Sequence, residues 1–182
     1  MMKWPLILLP FHVAFLHLII DPACSVVLEA EGEESTVMQH PPRAAKEPLF
    51  GKRTFTISIL QGVSVLGVVL VVFAAAHYSG RADDEARALT FTTLVLANLA
   101  LIFTNRSWGR TILGTLRSSN PALWWVVGGT LAFLSLVIFV PFFRNLFRFS
   151  VLHLNDFVIC LGAAVFSILW FEAFKLWKTW TA

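Results

Sequence analysis

The chain has 182 residues, of which 57% are hydrophobic and 14% aromatic, against only 14% charged. Soluble domains run near 45–50% apolar and about 25% charged, so this composition, with a mean hydropathy of +0.74, excludes an ordinary soluble enzyme and a disordered chain alike. The formal net charge is only +3, and the basic residues lie scattered between apolar runs, where they mark membrane topology and not a nucleic-acid surface.

Five runs are long enough to cross a hydrocarbon core, which takes about 20 apolar residues. The first, 5–28, carries Pro10, Asp21 and Pro22. A polar linker, 29–54, follows with Glu29, Glu31, Glu33 and Glu34, then Pro41-Pro42-Arg43 and Lys46-Glu47-Pro48-Leu49. Its prolines hold extended turns and stop a helix forming. The second run, 55–78, has no Asp, Glu, Lys or Arg between Ile57 and Tyr78. The third, 89–105, carries Thr90, Thr92, Thr93 and Asn98, which predicts that it faces other helices and not lipid. The fourth and fifth are 122–141 and 151–172. His153, Asn155 and Asp156 open the last run close to the interface, where a structural role is expected. Glu172 and Lys175, three apart, read as a surface ion pair.

Unbroken apolar runs in place of alternation argue against a barrel. The fold class is all-α: a multi-pass transmembrane helical bundle of about five helices, spanning 1–182 as one domain. Trp4, Trp124, Trp125, Trp170, Trp177 and Trp180 near the run ends fit an interfacial aromatic belt. Cys24 and Cys160 both lie in apolar stretches, as reduced thiols would.

Lys and Arg set the orientation. One side holds Arg43, Lys46, Lys52, Arg53, Arg106, Arg110, Arg117, Lys175 and Lys178; the other holds Lys3, Arg81, Arg87, Arg144 and Arg148. The richer side is expected in the cytoplasm, which puts the N-terminus outside, the C-terminus inside and the 29–54 linker in the cytoplasm of a plasma-membrane protein. An alternative takes residues 1–25 as a cleaved signal, with Ala23, Cys24 and Ser25 at its end and Cys24 open to lipid modification. Asp21 and Pro22 stand against it, where small uncharged residues belong.

A carboxylate inside a span costs roughly 2.5–3.5 kcal/mol on insertion scales and marks a functional candidate. Asp21 is that residue. Pro22 removes a backbone N–H, so the carbonyl of Leu18 loses its helical partner, and Pro10 does the same to Leu6. A carboxylate beside freed carbonyls offers the hard oxygen ligands that Ca²⁺, Mg²⁺ or Na⁺ take. The span should be unwound near Asp21-Pro22. His17, four residues earlier on the same face, is a candidate ligand, a proton-exchanging group or a hydrogen-bonded partner of Asp21. Asn98 adds an amide oxygen or simply ties helices together.

The run Leu9-Pro10-Phe11-His12-Val13, then Leu16-His17-Leu18-Ile19-Ile20-Asp21-Pro22, resembles the sixth membrane helix of calcium-pump-type P-type cation-transporting ATPases. Val37-Met38-Gln39-His40-Pro41-Pro42-Arg43 and Lys46-Glu47-Pro48-Leu49 look like the loop that follows it. Glu85-Ala86-Arg87-Ala88, Asn120-Pro121 and Phe171-Glu172-Ala173-Phe174-Lys175 continue the match to the end of the tenth helix.

The resemblance covers essentially the whole chain and implies helices six to ten of a ten-helix pump. It makes Asp21 similar to an aspartate that coordinates the transported cation, and the Pro-Pro-Arg loop part of a coupling surface beneath the phosphorylation domain. His17 falls where such pumps carry an asparagine ligand, Ile20 where some carry threonine, and Asn98 where some carry glutamate. No aspartate here is followed by Lys-Thr, as the phosphorylation motif requires, and no actuator or nucleotide domain is present.

The expectation is therefore a C-terminal membrane domain of a cation pump, a fragment not competent for ATP hydrolysis alone. It would hold no cofactor besides a transported cation and would pair with an N-terminal fragment carrying the catalytic domains. A non-transporting remnant that keeps only the packing is the alternative from another class; a signal-bearing four-span protein is the third.

Overall fold

The computed structural model describes residues 8–17, 21–31, 51–106 and 120–181. Seven helices lie among them: α1 (Pro10–Phe15), α2 (Asp21–Glu29), α3 (Lys52–Tyr78), α4 (Asp83–Asn105), α5 (Pro121–Phe139), α6 (Pro141–Phe147) and α7 (Leu154–Thr181). Four of them, α3, α4, α5 and α7, are long and apolar enough to cross a membrane. The chain is a helical membrane bundle.

The first run holds two of these helices, α1 and α2. Pro10 starts α1, where its missing N–H is no loss. The chain then widens into a π-type turn at Leu16 and His17, and α2 opens at Asp21 with Pro22 in its first turn. Residues 18–20, which would carry unwinding just before Asp21-Pro22, lie outside the described residues, and Asp21 and Pro22 themselves are helical.

Helix α4 is the hub. Two-thirds of its span (67%) is buried, against 28% for α3, 28% for α5 and 33% for α7. Thr90, Thr92 and Thr93 are wholly buried on it, as their clustering predicts; Thr90 and Thr93 return their hydroxyls to the carbonyls of Ala86 and Leu89. The helix starts six residues before the expected apolar boundary. Asp83, Asp84 and Glu85 fill its first turn, where carboxylates meet the positive end of the helix dipole.

The turns are set by local chemistry. Gly80 takes φ +75° after α3, and the bonds Arg81 N–H to Ala76 and Gly80 N–H to His77 close a Schellman end. Arg148 adopts the same left-handed conformation after α6, with Phe149 N–H bonded to Arg144 and its own N–H to Asn145. A non-glycine residue there costs about 1 kcal/mol or more. The Arg87 guanidinium, 3.1 Å from the Arg148 carbonyl, helps to hold it. Val140 is extended before Pro141, as a residue preceding proline should be, and this separates α5 from the short α6.

Polar contacts close both ends of the bundle. At the α3–α4 turn, Arg81 bridges Glu85 at 2.5 Å and Asp156 of α7 at 2.7 Å. Asp156 is buried and also accepts the His153 N–H at 2.9 Å, capping α7. These carboxylate contacts hold the Arg81 guanidinium above its ordinary range. At the other end, Gln61 of α3 and Asn105 of α4 exchange amide hydrogen bonds at 2.9 and 3.3 Å.

Glu172 and Lys175 do not form a surface pair. Lys175 is buried, 3.1 Å from Glu172, and donates to the Thr104 carbonyl, while Glu172 accepts from the Thr104 hydroxyl at 3.0 Å. An i,i+3 spacing brings two charges together but does not say which way they face. Here they face the C-terminal carbonyls of α4, where a cation is favoured. Burial pulls the Lys175 ammonium below its ordinary value, and the Glu172 carboxylate opposes that shift.

Asp156→Asn removes the charge that Arg81 bridges without changing side-chain size. It should cost about 2–4 kcal/mol, less than for a fully buried pair because Arg81 reaches solvent. Leu154→Ala, at an exposed position two residues earlier in the same turn, should stay within about 0.5 kcal/mol of the parent. Denaturant unfolding in mixed micelles measures both; an Asp156→Asn cost no larger than that of Leu154→Ala would remove the pair from the account.

Candidate functional site

Of the three residues singled out by sequence, two lie on the first run and the third on α4. Asp21 is the first residue of α2; its side chain lies outside the described part of the structure, as do Ile20 and the Pro41-Pro42-Arg43 loop. His17 stands exposed on the wide turn that ends the first half-helix. Asn98 lies on α4, half-buried, on the wall of a cleft of about 430 Å³ between α3 and α4. Leu8, Gly62, Val65, Leu66 and Leu94 are among its other lining residues, and Asn98 is the polar side chain on an otherwise apolar wall.

Among the described residues no three His, Cys, Asp or Glu side chains gather as a metal centre.

Sequence reasoning missed the residue that holds the break in place. His12 is wholly buried, with Nε2 3.0 Å from the Phe147 carbonyl and Nδ1 3.0 Å from the Leu9 N–H. The Leu9 N–H can only donate, so Nδ1 accepts and the ring proton sits on Nε2, donating to Phe147. His12 thereby caps α1 and ties it to the end of α6. Its ring stacks on Phe149 at 4.9 Å and Phe147 at 5.5 Å and lies tilted against Phe91 at 5.1 Å. Phe15 continues the cluster onto Phe133 of α5 at 4.5 Å. The available signal was a histidine two residues after a helix-opening proline, within reach of the free N–H groups of the first turn.

The second half-helix is held by other means. Val27 is fully buried against Leu99, Ile102 and Leu123, and Glu31, just beyond α2, pairs with Arg106 at 2.7 Å. Cys24 is half-buried and Cys160 buried, both as free thiols.

A family model described as "Cation transporting ATPase, C-terminus" matches residues 5–177. Similar curated proteins include calcium-transporting ATPase 1 of Lactococcus lactis, 26% identical over 167 residues, covering 90% of this chain and 18% of that protein. A calcium-transporting ATPase of Listeria monocytogenes is 27% identical over 170 residues, covering 91% and 18%. Calcium-transporting ATPase 1 of Bacillus cereus is 25% identical over 193 residues, covering 98% and 22%. The chain thus spans 18–22% of the length of these relatives.

His12→Phe keeps an aromatic ring in the stack and leaves the Leu9 N–H and the Phe147 carbonyl without their partner. The expected loss is about 2–4 kcal/mol, from two buried polar groups at about 1–3 kcal/mol each. Unfolding in mixed micelles reads it; a variant as stable as the parent would mean that ring packing alone holds α1.

Proposed function

Since the chain belongs to the family of cation-transporting ATPase C-termini, we propose that it supplies a helix scaffold and one ligand helix to an ATP-driven cation pump. Asp21 is the proposed cation ligand, with His17 and Asn98 as weaker candidates beside it. The observation that carries this is the departure from α-helix after Phe15, a π-type turn at Leu16 and His17 close before the helix that begins at Asp21. A break inside a span is tolerated where the freed backbone is buried in protein or lines a cavity, and ion-binding helices use such breaks.

The catalytic work belongs to another part of the pump. With no Asp-Lys-Thr sequence in the chain, ATP hydrolysis by an aspartyl-phosphate route needs a partner carrying the phosphorylation, nucleotide and actuator domains. The α3–α4 cleft suits a further helix of that partner: Asn98 on its apolar wall calls for a polar group, since an unpaired carboxamide facing lipid is costly. The excess of Lys and Arg on the side of Arg106 and Lys175 supports a plasma-membrane orientation with that side, and the C-terminus, in the cytoplasm. The relatives above are named calcium-transporting ATPases, which makes Ca²⁺ the first cation to try here.

The test is reassembly of this chain with the catalytic part of the pump in proteoliposomes. Ca²⁺-stimulated ATP hydrolysis should need both parts and should be abolished by Asp21→Asn, with Asn98→Ala weakening it less. Full Ca²⁺ stimulation in Asp21→Asn would end the ligand assignment, and failure of every cation tried to stimulate the parent complex would favour a non-transporting protein.

A further inference from the structure

We propose that Arg106, Glu31 and Asn120 form a clasp that fixes the height and rotation of α2, which makes them positioning residues for Asp21. The three stand at three separate helix ends. Glu31 lies two residues past α2, Arg106 directly follows α4, and Asn120 directly precedes α5. The fold alone brings them together, since Glu31 is 75 residues from Arg106 and 89 from Asn120.

The geometry is two-pronged. Arg106 donates from Nε to Glu31 Oε2 at 2.7 Å and from Nη2 to Oε1 at 3.0 Å. Asn120 Nδ2 donates to the same Oε2 at 2.8 Å and to the Val27 carbonyl at 3.1 Å, while its Oδ1 accepts from the Leu123 N–H at 3.2 Å. The Arg106 side chain is 1% exposed and Glu31 19%. A planar fork on a carboxylate specifies orientation as well as distance. Asn120, at the same time, caps α5 and grips a carbonyl in the last turn of α2.

Those contacts leave α2 one register. A helix rises about 1.5 Å and turns about 100° per residue, so a one-residue slip would withdraw Val27 from its pocket against Leu99, Ile102 and Leu123. It would also break the Glu31 fork and the Val27 carbonyl bond together. Nine residues of continuous helix carry that constraint to Asp21 at the other end. The consequence for ion binding rests on Asp21 being the ligand proposed above; the geometry of the clasp does not.

The experiment measures electron–electron distances between nitroxide labels on the full chain in lipid nanodiscs, with Cys24→Ser and Cys160→Ser as background. Ser25→Cys with Ser135→Cys reports α2 against α5, and Ser58→Cys with Ser135→Cys reports α3 against α5. In Glu31→Gln and Arg106→Gln the first distribution should broaden or move while the second stays as in the parent. Both pairs unchanged, or both altered together, would overturn the clasp. Should Arg106→Gln fail to fold, the more solvated Glu31→Gln decides.

In the reassembled pump, Glu31→Gln should raise the Ca²⁺ concentration for half-maximal ATP hydrolysis several-fold at unchanged maximal rate. An unchanged half-maximal concentration, in a pump that Asp21→Asn inactivates, would overturn the positioning role. If Asp21→Asn has no effect, the ligand assignment falls and the label distances still decide the clasp.

Discussion

A helix that breaks inside hydrocarbon must find partners for its backbone within the protein, because no water is there to supply them. In this chain the first half of the broken helix depends on one imidazole. His12 accepts the Leu9 N–H on one side and donates to the Phe147 carbonyl on the other, so it caps α1 and joins it to the far end of the bundle in the same pair of bonds. The aromatic rings of Phe91, Phe147 and Phe149 exclude other partners from the site. Without this, the six residues of α1 would be too short to hold a helical conformation alone.

The remainder of the bundle follows the same logic at its ends. Apolar faces give little discrimination between arrangements in lipid, where leucine and acyl chains are alike. The specific contacts are polar and lie in two layers. Arg81 with Glu85 and Asp156 closes one layer; Glu31, Arg106 and Asn120, the Gln61–Asn105 pair and the Lys175–Glu172–Thr104 group close the other. Helix α4 runs between the layers and contributes to both, which accounts for its being the most buried span. Helix α1 is fastened at His12 and α2 at its C-terminal end by Glu31 and Asn120, and Asp21 lies between the fastenings in sequence.

Much of this was legible in the sequence, for reasons that can be named. Long apolar runs mark spans because composition alone decides what enters a bilayer, and Pro10 marked the start of α1 as Pro22 marked the first turn of α2. The threonine-rich stretch on α4 announced its burial. Helix α4 begins before its apolar run because Asp83, Asp84 and Glu85, which a hydropathy reading leaves out, are favoured at a helix N-terminus. Lys175 was assigned to the surface because sequence spacing carries no information about facing.

The holding contacts were not legible at all. Glu31 looked like part of a solvated linker, Arg106 like a topology charge and Asn120 like one letter of the family-like pattern, and only the packing of α2 against α4 and α5 makes them one group. His12 passed as one letter of a family-like pattern, and Asp21, His17 and Asn98 drew the attention instead. A ligand candidate stands out by being costly where it is. A residue that repairs a helix break is satisfied, and so leaves no mark in the sequence.

The account stands most directly on the protonation of one ring. Solid-state ¹⁵N NMR of His12 in lipid bilayers should show Nε2 protonated and coupled to the Phe147 carbonyl, with Nδ1 bare and accepting from the Leu9 N–H. A proton on Nδ1, in either a neutral or a charged ring, would contradict it, because the Leu9 N–H would then have no acceptor and the first half-helix would be held in some other way.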